Sequence, residues 1–272
     1  MARRFHIPFL TEPPTSLGRR SMTTTQKKSG GFLEVAKTVF VAVLIAVGFR
    51  TFAYEPFNSP SGSMKPTLLI GDYLFVAKWS YGYSRYSLPL GLDLFGGRIF
   101  ASSPQRGDVA VFKLPTDPKI DYIKRIIGLP GDQIQVKEGI LYINGQAVQR
   151  QKIADYVDDS GERLTQYIET LPNGVQHHIL ERSDDAPLDN TDIYVVPPGH
   201  YFGMGDNRDN SQDSRVLGTN GGPAPVGYIP AENLVGRAEF IFFSMSGDSE
   251  FWQLWNWPAA IRWDRLFHSA QR

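Results

Sequence analysis

The sequence predicts a mainly β protein. One N-terminal transmembrane helix leads into an all-β domain of antiparallel sheets that carries a smaller inserted β lobe. Three observations predict this. Residues 32–57 hold the one long apolar stretch suited to a membrane. After residue 55, short apolar runs alternate with Gly, Pro and Asp turns, several with period two. Long helical periodicity is missing beyond the first stretch.

Residues 1–30 are expected to be a disordered cytoplasmic segment. They hold Pro8, Pro13 and Pro14 and a Ser/Thr-rich stretch. Arg3, Arg4, Arg19, Arg20, Lys27 and Lys28 face Glu12 alone. The anchor is read as residues 31–54. Thr38 to Phe49 is uncharged, which is short of the roughly 20 residues that cross a bilayer. Extension to Tyr54 supplies the length, because Arg50 near one end can snorkel. Glu34 and Lys37 sit one turn apart and can pair. The basic flank orients the segment with its N-terminus in the cytoplasm. Three other readings of this stretch remain: a buried core helix, a cleaved leader and an organelle transit peptide. The poor cleavage site Thr51-Phe52-Ala53 speaks against a cleaved leader.

The β domain follows from DYLFVAK (72–78), DVAVFKL (108–114), YIKRIIG (122–128), DQIQVKEGILYING (132–145), DIYVVPP (192–198) and GRAEFIFFSM (236–245). Lys137-Glu138-Gly139 reads as a hairpin turn. The catalytic core is expected over 55–133 and 195–250, with the polar stretch 134–194 as the inserted lobe. The tail 251–272 holds Trp252, Trp255, Trp257 and Trp263. It either packs over the sheet or lies at the membrane interface.

Composition narrows the functional classes. The formal net charge of zero argues against a nucleic-acid partner, which needs a basic surplus. With no cysteine there is no disulfide, zinc-thiolate site or cysteine nucleophile. The five histidines are scattered and suggest no metal site; no cofactor is implied. His177 and His178, if on a strand, point to opposite faces.

Two serines, Ser61 and Ser63, sit on a Pro- and Gly-constrained loop just after the anchor, followed by Leu68-Leu69-Ile70. A nucleophilic serine needs such a display and a base. The fragment Gly247-Asp248-Ser249 looks like a trypsin-type motif but lacks the following glycine. Lys124 is the better base. On a strand it shares a face with Tyr122 and Ile126, and a buried lysine sheds its proton at a lowered pKa. The alternative is an edge lysine snorkelling to water. In GMGDNRDNSQDSRVLG (203–218), Asp206, Arg208, Asp209, Asp213 and Arg215 suggest an ion-pair network ordering a loop. The alternative is a solvated loop, but EF-hand offsets for calcium are missing.

Together these segments resemble bacterial type I signal peptidases. The match covers the anchor, S-G-S-M-x-P-T-L-x-x-G-D at 61–72 and R-G-D-V-x-V-F at 106–112. It continues through D-Y-I-K-R-x-x-G-x-P-G-D at 121–132 and G-D-N-R-D-N-S-x-D-S-R at 205–215. The resemblance implies Ser63 as nucleophile and Lys124 as general base, with an acyl-enzyme intermediate. It implies an oxyanion hole from Ser61 and the Ser63 N–H, and Ser211 orienting the amine. Asp206, Asp213, Arg215 and Arg125 are implied as a structural network. Phe57, Ser59, Met64, Leu68, Val111, Tyr122 and Ile123 are implied as pocket walls for an Ala-x-Ala pattern. Better-known members are aliphatic at the position of Ser59, so a wider pocket is expected here. The implied partners are signal-peptide-bearing preproteins, membrane lipid and a nearby secretion translocon. The implied location is the bacterial inner membrane, with the β domain outside the cytoplasm. A catalytically silent tethered binding protein, a self-cleaving Ser/Lys repressor and an organelle peptidase stay as alternatives. Intact Ser63, Lys124 and Ser211 argue against the first, and the anchor against the second.

Overall fold

The computed structural model describes residues 31–88, 96–158, 160–218, 225–246 and 257–271. The expectations for residues 1–30, Gly247-Asp248-Ser249, Trp252 and Trp255 fall outside them. The chain divides into two compact units, 1–42 and 43–272.

Helix α1 spans Phe32–Phe52, 21 residues or about 31 Å at 1.5 Å per residue, which matches a bilayer core. Its apolar residues lie on all sides, and only Thr51 is buried. That pattern suits lipid rather than a protein core. The described residues hold one helix long and apolar enough to cross a membrane.

Fifteen strands follow among the described residues. In chain order they begin β1 (Tyr54–Asn58), β2 (Asp72–Ala77), β3 (Val109–Leu114), β4 (Asp117–Gly128), β5 (Gln133–Lys137), β6 (Ile140–Ile143) and β7 (Gln146–Ala147). Next come β8 (Gln149–Lys152), β9 (Tyr156–Val157), β10 (Arg163–Thr170), β11 (Gln176–Glu181) and β12 (Tyr194–Val195). The last are β13 (His200–Met204), β14 (Ile229–Pro230) and β15 (Leu234–Ser244). The main sheet has seven strands in the order β1-β2-β15-β3-β4-β13-β14, every pair antiparallel. Two four-stranded groups complete the structure, β12-β5-β6-β7 and β11-β10-β8 with β9 on β10.

The main sheet is covered on both faces, as the alternation along β3 requires. Val109 and Val111 pack with Met64, Leu68 and Leu74. Ala110, Phe112 and Leu114 pack with Ile126, Ile229 and Leu234 on the other side. A third cluster joins Ile127 and Phe202 of the main sheet to Ile134, Val136, Leu141 and Ile143 of the β12-β5-β6-β7 group. Strand β4 therefore touches all three clusters, through Ile123, Ile126 and Ile127.

The chain's last described residues pack against the main sheet. The Ala270 N–H donates to the Glu239 carbonyl at 2.9 Å, and the Ala270 side chain is wholly buried. Gln271 bridges two strands: its Oε1 accepts from the Val109 N–H at 2.9 Å and its Nε2 donates to the Ala238 carbonyl. Trp263 and Phe267 stay 62% and 77% exposed. Gln271→Ala leaves buried partners on β3 and β15 unpaired, which should lower stability by about 1–3 kcal/mol in urea titration.

Candidate active site

Strand β1 ends at Asn58, and the chain turns through Pro60 into a 3-10 turn over Gly62–Met64 that holds Ser63 at 6% exposure. Lys124 lies on β4 opposite Ala110, 3% exposed. The two meet at 2.6 Å between Lys124 Nζ and Ser63 Oγ. Ser61 Oγ is 3.2 Å from Ser63 Oγ. The amine also sits 5.4 Å from the Tyr122 ring centre.

Burial lowers the Lys124 pKa to about 8. Asp213 and Asp206 pull it back up, and Arg215 pushes it down. A group that loses its charge so near neutrality can take a proton from a hydroxyl beside it. The pair faces a hollow of about 620 Å³ whose lining includes Pro60, Ser61, Tyr122, Ile123 and Ser211.

Behind the lysine lies a run of buried charges. Arg125 and Asp206 are 0% and 1% exposed, and the guanidinium grips the carboxylate with two bonds of 2.8 and 2.7 Å. Thr67 donates to the same carboxylate at 2.6 Å. Burial alone would raise the Asp206 pKa; Arg125 overrides it and holds the group well below the carboxylate range. Asp213 and Arg215 form a second buried pair at 2.9 Å, and the Gly205 N–H donates to Asp213 at 3.0 Å. The Asp213 pKa is lowered: burial opposes the shift, and Arg215 and the Gly205 N–H overcome it.

Gly205 lies where two segments nearly touch. A Cβ there would come 2.2 Å from Ser211 Oγ and 2.5 Å from the Ser63 carbonyl oxygen. The Asn207 N–H donates to that same carbonyl at 3.0 Å, so the loop after β13 holds the serine turn in place.

The remaining residues differ in placement. Tyr122 and Ile123 line the hollow. Phe57 lines a neighbouring one of about 330 Å³. Met64, Leu68 and Val111 lie in the core beneath, at most 1% exposed. Ser59 is 1% exposed and its hydroxyl donates to the Ser61 carbonyl at 3.4 Å. Ser211 borders the hollow, but its buried Oγ makes no hydrogen bond, to Lys124 or otherwise.

Sequence reasoning missed Glu169 and His177. Arg208 grips Glu169 at 3.0 and 2.5 Å. Burial would raise the Glu169 pKa, but Arg208 and then His177 hold it down to about 2. His177 stands opposite Glu169 in the β10–β11 register. Its ring nitrogens lie 3.2 Å from Glu169 and 3.4 Å from Asp206, without hydrogen-bond alignment. The signal was the shared face of His177, Ile179 and Glu181 at period two.

The chain from 32 to 243 matches the family model described as signal peptidase, peptidase S26. It is 40% identical over 250 residues to signal peptidase I of Rickettsia canadensis (strain McKiel), covering 86% of this chain and 91% of that protein. It is 43% identical over 219 residues to signal peptidase I of Rickettsia typhi (strain ATCC VR-144 / Wilmington), covering 78% and 80%. A crystal structure of a signal peptidase I from Enterococcus faecalis V583 aligns with a TM-score of 0.29 at 25% identity, covering 50% of this chain and 97% of that one.

Arg125→Met strands the Asp206 charge in the interior, at a cost of about 3–5 kcal/mol. The double variant Arg125→Met/Asp206→Leu should recover much of that loss. Urea titration of the two variants at pH 7 measures both.

Proposed function

The chain belongs to the signal peptidase family, peptidase S26, and on that premise we propose Ser63 as its nucleophile and Lys124 as its general base. It is a serine endopeptidase that removes signal peptides from exported preproteins. The observation that carries the site reading is the 2.6 Å contact of a buried lysine amine with a loop serine.

In this reading the neutral amine takes the Ser63 proton as Oγ attacks the carbonyl carbon of the bond to be cut. The carbonyl oxygen becomes an oxyanion, and the Ser61 hydroxyl and the Ser63 N–H donate to it. The ammonium then gives its proton to the departing amine and leaves an acyl-enzyme. The Lys124 amine next takes a proton from water as the water oxygen attacks the ester carbon, and the ammonium returns that proton to Ser63 Oγ as the acyl group leaves. Ser211, which borders the same hollow as Lys124 and whose Oγ makes no hydrogen bond in this structure, is the hydroxyl assigned to orient the amine in this reading. Asp206, Asp213, Arg215 and Arg125 hold the loop and strand behind the pair.

Tyr122, Ile123 and Phe57, backed by the buried Ser59, Met64, Leu68 and Val111, favour small side chains one and three positions before the cut, since larger ones clash. Residues 31–54 anchor the protein in the bacterial inner membrane, with residues before them in the cytoplasm. The core over 55–133 and 195–250, and the lobe over 134–194, stand on the outer side, close to the translocon that delivers preproteins. The exposed Trp263 supports contact of the tail, 251–272, with lipid.

Ser63→Ala should abolish precursor cleavage, and Ser61→Ala should lower kcat by about 10²–10³. Lys124→Arg should be as inactive as Lys124→Ala, because arginine does not release its proton. An arginine variant that still cuts at an appreciable rate overturns the pairing.

The active form of Lys124 is the deprotonated one. kcat/KM should therefore climb with pH through about 8 and level off above it. A profile that falls over that range refutes the lysine as base.

A further inference from the structure

A hollow of about 740 Å³ stands apart from the site and shares no lining residue with the catalytic hollow. It opens between the loop 105–108 and the start of β11, and Arg237 and Gln271 also border it. Among its lining residues Gly107 and His177 are buried, while Gln105, Asn173 and Gln176 are exposed. The hollow therefore has a closed floor and an open rim. Lys124 and Arg125 are neighbours on β4, so their side chains leave opposite faces of the sheet. Lys124 borders the catalytic hollow. Arg125 donates to the carbonyls of Gly107 and Gln271 at 2.8 Å each, and both of those residues border the second hollow. This hollow thus belongs to the Arg125 side of β4.

One wall of the hollow is a bare strand edge. Strand β11 stands at the end of its sheet, in the order β11-β10-β8. The ladder pairs His177 with Glu169 and Ile179 with Tyr167. It continues to the turn, where the Leu171 N–H donates to the Val175 carbonyl at 2.9 Å. By the alternation of an antiparallel ladder, residues 175, 177 and 179 bond to β10, and Gln176, His178 and Leu180 turn their N–H and C=O outward. Leu180 shows this direction, since its N–H donates to the Asp206 carbonyl at 2.8 Å, outside the sheet. Among the described residues, the outward backbone groups of Gln176 and His178 make no hydrogen bond, and both residues line the hollow. Gln176-His177-His178 holds no lysine or proline, the residues that commonly blunt an exposed edge.

We propose that this hollow is a second peptide-binding site, in which an extended, uncharged polypeptide segment adds as a strand to the edge of β11. The main-chain groups of Gln176 and His178 supply the rungs, and the hollow takes the side chains. A strand rises about 3.3 Å per residue, so the stretch before Leu180 takes about four or five residues.

The lining selects an uncharged segment. Its charges already have partners: Arg106 with Asp132 at 2.8 Å, Arg237 with Glu239 at 2.9 Å, and Asp108 with the Tyr81 hydroxyl at 3.1 Å. An incoming charge would find no counter-charge to offset its lost hydration. The Gln105 and Gln176 amides at the rim offer both donors and acceptors to a peptide. The wall facing the edge is built in advance. Asn173 Nδ2 donates to the Arg106 carbonyl at 2.7 Å, and a Cβ on Gly107 would come 2.8 Å from Val175 Cγ1.

The test uses the full chain in detergent and the fluorescein-labelled peptide Gln-Val-Asn-Gln-Ile-Asn-Gln, which carries none of the small residues a cutting site would take. Fluorescence polarisation should give a Kd on the order of 100 μM. The same peptide N-methylated at every backbone amide should bind at least roughly tenfold more weakly, because it cannot donate to the edge. Gln176→Pro removes an outward N–H and leaves the β10 ladder intact, so it should weaken the unmethylated peptide about three- to tenfold. Thermal unfolding checks that this variant folds; if it does not, the methylated peptide on the unaltered protein decides. A benzophenone at the central residue should crosslink to residues 105–108 or 173–178. Equal affinity for the two peptides, no binding up to about 1 mM, or crosslinks confined to other segments overturns the site.

Discussion

Arg125 and Asp206 have no water to turn to, and much of the architecture around the site follows from that. A buried guanidinium and a buried carboxylate are each costly to strand, so each must find full hydrogen bonding from neighbours. Arg125 lies one residue after Lys124 on β4, and Asp206 lies one residue after Gly205 on the loop that presses against Ser63. The ion pair therefore clamps the strand that carries Lys124 to the loop that braces Ser63. Thr67 joins it from the segment just after Ser63, and His177 lies against it from β11. The polar lobe is drawn in as well: the Leu180 N–H donates to the Asp206 carbonyl at 2.8 Å, and Glu169 holds Arg208 of the same loop.

The geometry of the Lys124–Ser63 pair meets two opposed demands of the proposed chemistry. The amine has to be dry enough to lose its proton near neutrality, yet close enough to Ser63 to receive another. The alternation of β4 meets the first demand, since it places Lys124 on the face shared by Tyr122 and Ile126. The approach of Gly203 meets part of the second, because a Cβ there would stand only 3.1 Å from the Lys124 Cβ. Gly203 in β13 and Gly205 in the loop after it thus let three segments converge where side chains would hold them apart.

Elements with a local cause were the most legible in the sequence. Helix α1 announces itself by an apolar run without a polar face. Strands β2, β3 and β15 follow from alternating patterns bounded by turn residues. The hairpin β5–β6 turns at Glu138 and Gly139, both at positive φ. The triplet Ser61, Ser63 and Lys124 was legible through motifs, not through any spacing between positions 63 and 124. Glu169 and His177 were not legible as a network, because their register across β10 and β11 is a tertiary fact and their segment reads as a solvated surface. The same holds for Met64, Leu68 and Val111. Their apolar character was plain, but only the packing shows that they support the cleft from the core. The unpaired hydroxyl of Ser211 also depends on a rotamer that no motif specifies.

Gln271 reaches the site from the far end of the chain. Its carbonyl accepts from Arg125 at 2.8 Å, a contact across 146 positions, while its side chain ties β3 to β15. A ribosome makes residue 271 long after it makes residue 125. Until that carbonyl arrives, the guanidinium beside Lys124 lacks one of its acceptors and β15 lacks the segment that covers its edge. A chain that stops short of residue 271 has Lys124 and Ser63 but lacks that acceptor for Arg125 and the side-chain tie between β3 and β15.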